Sequence, residues 1–207
     1  MPRPRLHEPD RVLDAVEALT VASGPAAVTI RAVSSAVGVS NGALYHTFTS
    51  RSGLLARAWI RAARRFFGLQ GALVDQALAD ADAHAAVVAA AEAPVVFAER
   101  HRDSSAVMWA VSREELLKSE LPDDVTAELN GLHRLLIDVM IRLADTLWQR
   151  TDARAVDTIT TCIVDLPTAI VLSRDRLHDP TAREHLRASV RAVLDIGPPP
   201  PRRKGNT

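Results

Sequence analysis

The chain has 207 residues, which is enough for one large or two small domains with a hydrophobic core. Hydrophobic residues make up 47% and charged residues 24%, the proportions of a soluble globular protein rather than of a disordered chain. The formal net charge is zero, and the single cysteine, Cys162, excludes an internal disulfide framework and fits a reducing compartment.

We expect a cytoplasmic protein. The first residues, Met1–Leu6, lack the apolar core of a signal peptide. The longest apolar-rich run recognised in the sequence, Ala85–Ala98, is interrupted by Glu92 and Pro94 and is too short to cross a bilayer.

Charge is unevenly distributed along the chain. Residues 1–67 hold nine Arg and four carboxylates, and no Asp or Glu occurs from Ala18 to Val74. The arginines of this stretch are Arg31, Arg51, Arg57, Arg61, Arg64 and Arg65. A basic segment without carboxylates predicts a surface for phosphate groups. For any one of these arginines, solvation of a helix face is the better explanation.

The first two helices are predicted over Pro9–Ala22 and from Thr29 to about Val37. Thr29 belongs to the residue types that cap a helix. The apolar residues behind it at helical spacing are Ile30, Val33 and Val37. Gly38 then ends the second helix.

A third short helix is predicted to begin at Ser40, a second capping residue. Leu44 and Phe48 lie one turn apart on the face that packs against the second helix. The opposite face is small and polar at its start, where a recognition helix presents its first turn to the major groove. The spacing therefore predicts a helix-turn-helix.

Residues 38–48, GVSNGALYHTF, followed by SRSGLL, resemble the DNA-binding motif of the tetracycline-repressor-like (TetR) family. That family's pattern is roughly G-V-S-x-G-x-L-Y-x-x-F, then a Lys and a Leu pair. This sequence departs from it at Asn41, where a basic residue is common, at Arg51 in place of Lys, and at Ser52-Gly53 in place of acidic residues. The Gly weakens the start of the next helix by up to about 1 kcal/mol relative to Ala.

The motif and the resemblance together predict the residues that face DNA. Asn41 and Ala43 are expected to contribute to base choice, and Tyr45, His46 and Arg51 to contact phosphates. The predicted DNA-binding residues are Thr29, Arg31, Ser40, Asn41, Gly42, Ala43, Tyr45, His46 and Arg51.

The remainder of the chain is predicted to be helical. A fourth helix from Ser50 to about Asp80 links the two parts of the chain. Further helices are predicted over Asp82–Arg100, Asp103–Lys118, Pro122–Arg150, Asp152–Leu177 and Pro180–Ile196, with kinks at Pro94 and Pro167. The predicted fold is all-α: a helix-turn-helix domain over 1–49, a ligand-binding and dimerisation bundle over 50–197, and a disordered Pro-rich basic tail over 198–207.

The resemblance implies a homodimer in which the last two helices pack against their copies. An apolar stripe on these helices looks too hydrophobic for an exposed surface. The predicted interface residues are Ile159, Ile163, Leu186, Val190 and Val193.

The scarce aromatic residues of the middle helices, with polar neighbours, predict a pocket for a small and mostly hydrophobic effector. Asp165 interrupts an apolar run and needs a partner or a cavity. The predicted ligand residues are Phe97, His101, Met108, Trp109, Trp148 and Asp165. Plain core packing is at least as good an explanation of each one alone.

No nucleophile elbow, phosphate loop or metal-ligand motif occurs in the sequence, so neither an enzyme nor a cofactor or metal is predicted. The resemblance implies a repressor that binds a palindromic operator in double-stranded DNA and is released by its effector. Two alternatives stay open: a helical small-molecule-binding protein of the same fold without DNA, and a small helical enzyme built around Asp165 and His133.

Overall fold

The computed structural model describes residues 8–201, and these residues form helices and turns without a strand. The helices are α1 Glu8–Ser23, α2 Ile30–Val37, α3 Asn41–Phe48, α4 Arg51–Ala79, α5 Ala83–Arg100, α6 Arg102–Ala110, α7 Arg113–Lys118, α8 Asp123–Trp148, α9 Ala153–Thr160 and α10 Pro180–Ile196. The predicted all-α fold with an N-terminal helix-turn-helix is confirmed.

One predicted helix, Asp103–Lys118, is two helices in the structure. Helix α6 ends at Ala110, and Ser112 caps α7 by accepting a hydrogen bond from the backbone N–H of Glu115 at 3.4 Å. Ser followed three residues later by Glu is a sequence signature of a helix start. The break could therefore have been predicted from the sequence.

Helix α9 continues beyond Thr160 through two wider, π-helical turns, Thr161–Asp165 and Thr168–Leu172. They flank Pro167, which has no N–H to offer an α-helical ladder. The N–H of Leu166 accordingly reaches back five residues, to the carbonyl of Thr161. The predicted helix to Leu177 ends earlier, at Leu172.

The described residues divide into two compact units. The first unit comprises the residues up to Arg65 together with Arg100–His133, and the second comprises Phe66–Glu99 and the residues from Arg134 onward. These units differ from the predicted division at residue 49, because α6, α7 and the start of α8 belong with the N-terminal helices. As a division of function, the predicted boundaries remain a prediction.

The core of the second unit contains the stripe predicted to form a dimer interface. Ile159, Leu186 and Val190 are fully buried, Ile163 is 4% exposed, and all four pack with side chains of α5 and α8. Val193 is partly buried against the same core. The predicted interface is wrong for the four buried residues, since the chain itself covers them.

One stretch, Ala153–Leu172, is long and apolar enough to cross a membrane by length and composition alone, and a third of it is buried. It is longer than Ala85–Ala98, which was predicted to be the longest apolar-rich run. Its apolar side chains include Ile159, Ile163 and Val171, which pack in the second unit. Core helices of soluble proteins pass the same test, so the stretch is weak evidence for a membrane span.

The first residues of the predicted disordered tail, 198–201, are described by the structure and make two hydrogen bonds to the rest of the chain. The carbonyl of Pro199 accepts a hydrogen bond from Arg150 at 3.0 Å, and the carbonyl of Pro200 accepts one from Arg154. Prolines leave their carbonyls free to act as acceptors. Disorder of the tail remains a prediction, and residues 202–207 lie outside the described range.

Candidate nucleic-acid interface

Helix α2 is fixed at both ends by its own sequence. The Thr29 hydroxyl accepts a hydrogen bond from the Ala32 N–H at 3.1 Å, and Gly38 ends the helix in the left-handed region at φ 73°. Ile30 and Val33 are buried beneath it. The helix therefore begins and ends where the sequence predicted.

The turn between α2 and α3 has a hydrogen bond that sequence reasoning missed. The Ser34 hydroxyl donates to the Val39 carbonyl at 2.5 Å. This bond ties the last turn of α2 to the residue before the cap of α3. A Ser five residues before a turn residue is too common a pattern for the contact to be predicted.

Helix α3 presents a small polar face to solvent. The Ser40 hydroxyl accepts from the Ala43 N–H at 3.2 Å, while Leu44 and Phe48 are buried on the opposite face. Tyr45 is 54% exposed. The first turn of α3 is consequently open to a partner as large as DNA.

All nine predicted DNA-binding residues are exposed. Asn41, Gly42 and Ala43 form the first turn of α3, and Tyr45 and His46 follow in the next. Thr47 is also exposed and lies one turn beyond Ala43 on the same face. Its position four residues after a predicted base reader could have identified it as a further candidate.

The link between α3 and α4 is unusually tight. A Cβ added at Gly53 would lie 2.1 Å from the carbonyl oxygen of Phe48, closer than any real contact. The Gly53 N–H donates to the Ser50 hydroxyl at 3.0 Å. Thr49, between the helices, has φ 66°, a region that β-branched residues rarely adopt. Gly53, which the sequence analysis treated as a weakness, is required for this close approach.

The family model described as bacterial regulatory proteins, tetR family, matches residues 12–58. This range covers α2, α3 and the start of α4, the elements whose geometry is given above. Residues 12–58 therefore match the tetR family of bacterial regulatory proteins. The resemblance read from the sequence motif is thereby confirmed.

Solved structures share the fold of this chain over nearly its whole length. A putative transcriptional regulator from Pseudomonas aeruginosa PAO1 matches with a TM-score of 0.69 at 15% identity, covering 94% of this chain and 91% of that one. A TetR-family regulator from Streptomyces coelicolor matches with 0.65 at 17%, covering 91% and 98%. A tetR-family regulatory protein from Rhodococcus RHA1 matches with 0.63 at 20%, covering 93% and 98%. No curated protein matches the sequence.

Arg51, which was predicted to contact a phosphate, also holds a loop within the chain. Its Nε donates to the carbonyl of Val28 at 2.6 Å, and its Nη2 to that of Pro25 at 2.7 Å. The first residue of α4 thus holds the loop that precedes α2. The guanidinium has five N–H donors in all, so a phosphate contact remains a prediction.

Two arginines of α4 bind a buried carboxylate instead of facing a phosphate surface. Glu17 of α1 is 4% exposed, and its Oε1 lies 2.8 Å from Arg61 Nη2 and 3.3 Å from Arg65 Nη1. The Ser104 hydroxyl of α6 donates to Glu17 at 3.2 Å and accepts from Arg65 at 2.7 Å. This cluster joins α1, α4 and α6 within the first unit.

The other two arginines of α4 pair with acids of α8. Arg57 binds Asp124 and, at 3.0 Å, Glu128, whose other oxygen lies 2.9 Å from Arg64. The hydrogen bond from Arg57 holds the pKa of the Asp124 carboxyl below its usual value. Acids distant in sequence therefore neutralise the arginines of α4. The prediction that these four arginines form a phosphate-binding surface is wrong.

The predicted ligand residues fall in both units. Phe97 is fully buried, and its ring centroid lies 5.5 Å from that of Phe66 in an edge-to-face contact. Asp165 is exposed, so the argument that it must find a partner or a cavity is wrong. The role of the six residues in binding an effector remains a prediction.

Cys162 is fully buried in the core of the second unit. Burial raises the pKa of its thiol to about 12. Because the thiolate is the reactive form, this cysteine is inert near neutral pH. Cys162 therefore packs as a small hydrophobic residue of the core.

Proposed function

We propose that the chain is a transcriptional repressor that binds a palindromic operator as a homodimer and is released from it by a small, mostly hydrophobic effector. The observation that carries this proposal is the exposed first turn of α3, which lies on a helix capped by Ser40 and anchored by Leu44 and Phe48. As a DNA-binding regulator, the protein acts in the cytoplasm and is not an enzyme.

Each exposed residue type of α3 has a chemistry suited to one part of DNA. The amide of Asn41 can pair with an adenine edge, and the methyl group of Ala43 can contact a thymine methyl. The hydroxyl of Tyr45 reaches phosphate oxygens, which sets register without reading sequence. Gly42 leaves room for a close backbone approach, since a Cβ there would meet only Ser40 Oγ at 4.0 Å.

A dimer is required by DNA geometry, because two recognition helices must lie about 34 to 36 Å apart to read successive major-groove faces. We place the dimer contact on the outward faces of α9 and α10. Ala188 and Ala192 lie one turn apart there and are exposed. Small side chains allow two helices to approach closely, whereas the buried stripe of Leu186 and Val190 serves the fold of each chain.

Effector binding is proposed in the predicted bundle, residues 50–197, and operator binding in the predicted DNA-binding domain, residues 1–49. Helix α4 is continuous from Arg51 to Ala79 and contributes residues to both compact units. A displacement of its second half can therefore be transmitted to the residues that support α3. Coupling of this kind is worth roughly 1 to 3 kcal/mol and acts equally in both directions.

The proposal is tested by a gel-shift titration with DNA that flanks the protein's own coding region, since regulators of this family often bind beside the genes they control. We expect a specific complex of two chains per site. Asn41→Ala combined with Ala43→Ser should lose that specificity, while Ala72→Ser, an exposed change on α4 far along the chain from α3, should not. Binding that no α3 substitution affects would contradict the proposal.

A further inference from the structure

A cleft in the first unit has an apolar floor and a charged rim. Its volume is about 280 Å³, just below the range of roughly 300–1,000 Å³ that is typical of small-molecule pockets. Leu55, Val111 and Leu116 line it and are buried, whereas Arg51 and Glu115 line it and are exposed. The cleft therefore has room for a molecule of amino-acid size.

The cation at the rim of this cleft is not neutralised. Arg51 donates to the carbonyls of Val28 and Pro25, which are neutral acceptors, and no carboxylate among the described residues forms an ion pair with it. These bonds use two of the five N–H donors of a guanidinium, so three remain for an anion. A carboxylate is suited to them, because arginine often binds it through two parallel hydrogen bonds.

The anion at the rim is fixed in position and also has no partner of opposite charge. The Ser112 hydroxyl accepts from the Glu115 N–H at 3.4 Å, and the Ser119 hydroxyl donates to the Glu115 carbonyl at 3.3 Å. Both serines line the cleft. The Glu115 carboxylate forms no ion pair with any described residue, Arg51 included.

The two charges restrict which ligand the cleft can accept. A plain carboxylate would pair with Arg51 and leave Glu115 facing a like charge, and a plain amine would do the reverse. A neutral apolar molecule would cover both charges without pairing either, which costs free energy. A molecule with a carboxylate, an ammonium group and an apolar side chain suits both the rim and the floor.

We infer that the cleft binds an apolar α-amino acid, with its carboxylate at Arg51, its ammonium group at Glu115 and its side chain on the buried apolar floor. This inference rests on the proposed function and gives its effector a chemical class. It assigns the effector to this cleft instead of to the six predicted ligand residues.

Arg51 also links the cleft to DNA binding. It holds the loop before α2 and is predicted to contact a phosphate of the operator. A carboxylate bound in the cleft occupies donors that this phosphate would need, so the amino acid and the operator compete. The competition acts equally in both directions.

Calorimetric titration with matched probes tests the need for both charges. L-leucine is compared with 4-methylpentanoate, which lacks the ammonium group, and with 3-methylbutylamine, which lacks the carboxylate. L-phenylalanine is compared in the same way with 3-phenylpropanoate and 2-phenylethylamine. The proteins are the unaltered chain, Glu115→Gln and Glu114→Gln. Glu114 is the matched control, because it is exposed in the same turn of α7 and does not line the cleft.

We expect the unaltered chain and Glu114→Gln to bind at least one of the two amino acids about tenfold more tightly than either of its analogues. In Glu115→Gln the preference over the carboxylate analogue should fall to within about twofold, and the preference over the amine should remain. Glutamine suits the same position at a helix start, so α7 should stay folded.

Three results overturn the inference: no binding of either amino acid, an analogue that binds the unaltered chain as tightly as its amino acid, or an unchanged preference in Glu115→Gln. Thermal unfolding checks that the variants are folded. The comparison of analogues in the unaltered chain decides the matter even if a variant is not.

Operator binding is measured on the same three proteins with and without the amino acid. At about ten times its Kd for the unaltered chain, the amino acid should weaken operator binding about tenfold per bound chain, and only about twofold in Glu115→Gln. An operator affinity that the amino acid leaves unchanged overturns its role as effector.

The two assays distinguish failure of the inference from failure of the proposed function. If the unaltered chain binds the operator but neither amino acid, the inference fails and the proposed DNA-binding function stands. If it binds no operator, the proposed function fails, and calorimetry alone decides whether the cleft binds an amino acid.

Discussion

Two helix pairs, α2 with α3 and α9 with α10, share one sequence pattern. They differ in which face is left for a partner. Both pairs carry apolar residues at helical spacing. In α2 and α3 those residues are buried, and the opposite face is left to a partner. In α9 and α10 the apolar stripe itself was predicted to contact a second chain, yet the stripe is buried within the chain. Periodicity shows which face is covered but not which surface covers it.

The largest expected effect tests that distinction directly. Val190→Arg places a charge in a fully buried position, which should cost on the order of 4 kcal/mol or more and prevent folding. Ala188→Arg, two residues away on the outward face, should leave each chain folded and separate the dimer. Circular dichroism and light scattering distinguish the two outcomes.

If the Val190→Arg protein were folded and monomeric, the apolar stripe of α9 and α10 would be the dimer interface after all. A dimeric Ala188→Arg protein would move the contact away from this part of α10.

The next largest effect is a loss of stability at the buried face of the helix-turn-helix, where Gly53 lies close to Phe48. Gly53→Ala should lower the free energy of unfolding by about 2–3 kcal/mol, because its Cβ would overlap the Phe48 carbonyl. Gly42→Ala is the matched control, with its Cβ in open space, and should stabilise α3 by up to about 1 kcal/mol. Urea titrations measure both. Equal stability of the two variants would show that the close approach is not required.

On the open side of α3, the effects should appear in DNA binding rather than in stability. Asn41→Ala should relax operator preference at one position per half-site by about 1–3 kcal/mol. Tyr45→Phe should weaken binding to all DNA sequences by a similar factor. A ranking of operator variants that Asn41→Ala leaves unchanged would rule out its role as a base reader.

Arg51→Ala tests a residue that stabilises the first unit and is also predicted to contact DNA. Losing its bonds to Val28 and Pro25 should destabilise the first unit by on the order of 1–2 kcal/mol. Operator affinity measured well below the melting temperature then reports any phosphate contact separately. If affinity per folded chain is unchanged, the bonds to Val28 and Pro25 account for the whole effect.

The smallest expected effect is a pH dependence at the start of α9. The hydrogen bond from Arg150 lowers the pKa of the Asp152 carboxyl from 3.8 to about 2. The stabilisation is therefore present above about pH 4 and is lost as pH falls toward 2. Asp152→Asn, which can still cap the helix, should be less stable than the unaltered chain at pH 7 and indistinguishable from it below pH 2. A constant difference across that range would assign the effect to capping alone.

Local signals account for what the sequence predicted correctly. Caps at Thr29 and Ser40 and the stop at Gly38 act within a few residues, so α2 and α3 begin and end as expected. The partners of the α4 arginines could not be predicted, because Glu17 and Glu128 meet α4 only after the chain folds. The hydrogen bond from Gln70 to the Ala90 carbonyl likewise depends on a proline 24 residues away.

The contact between Gly53 and Phe48 also limits how this protein can be re-engineered. A recognition helix grafted from a relative would bring its own 41–47 sequence, and apart from the buried Leu44 those side chains point outward, where exchange is tolerated. Its fit would depend on residues 48–53, where Thr49 has a positive φ and Gly53 admits no side chain. Operator specificity can therefore be exchanged as a short cassette only if the graft ends before Phe48.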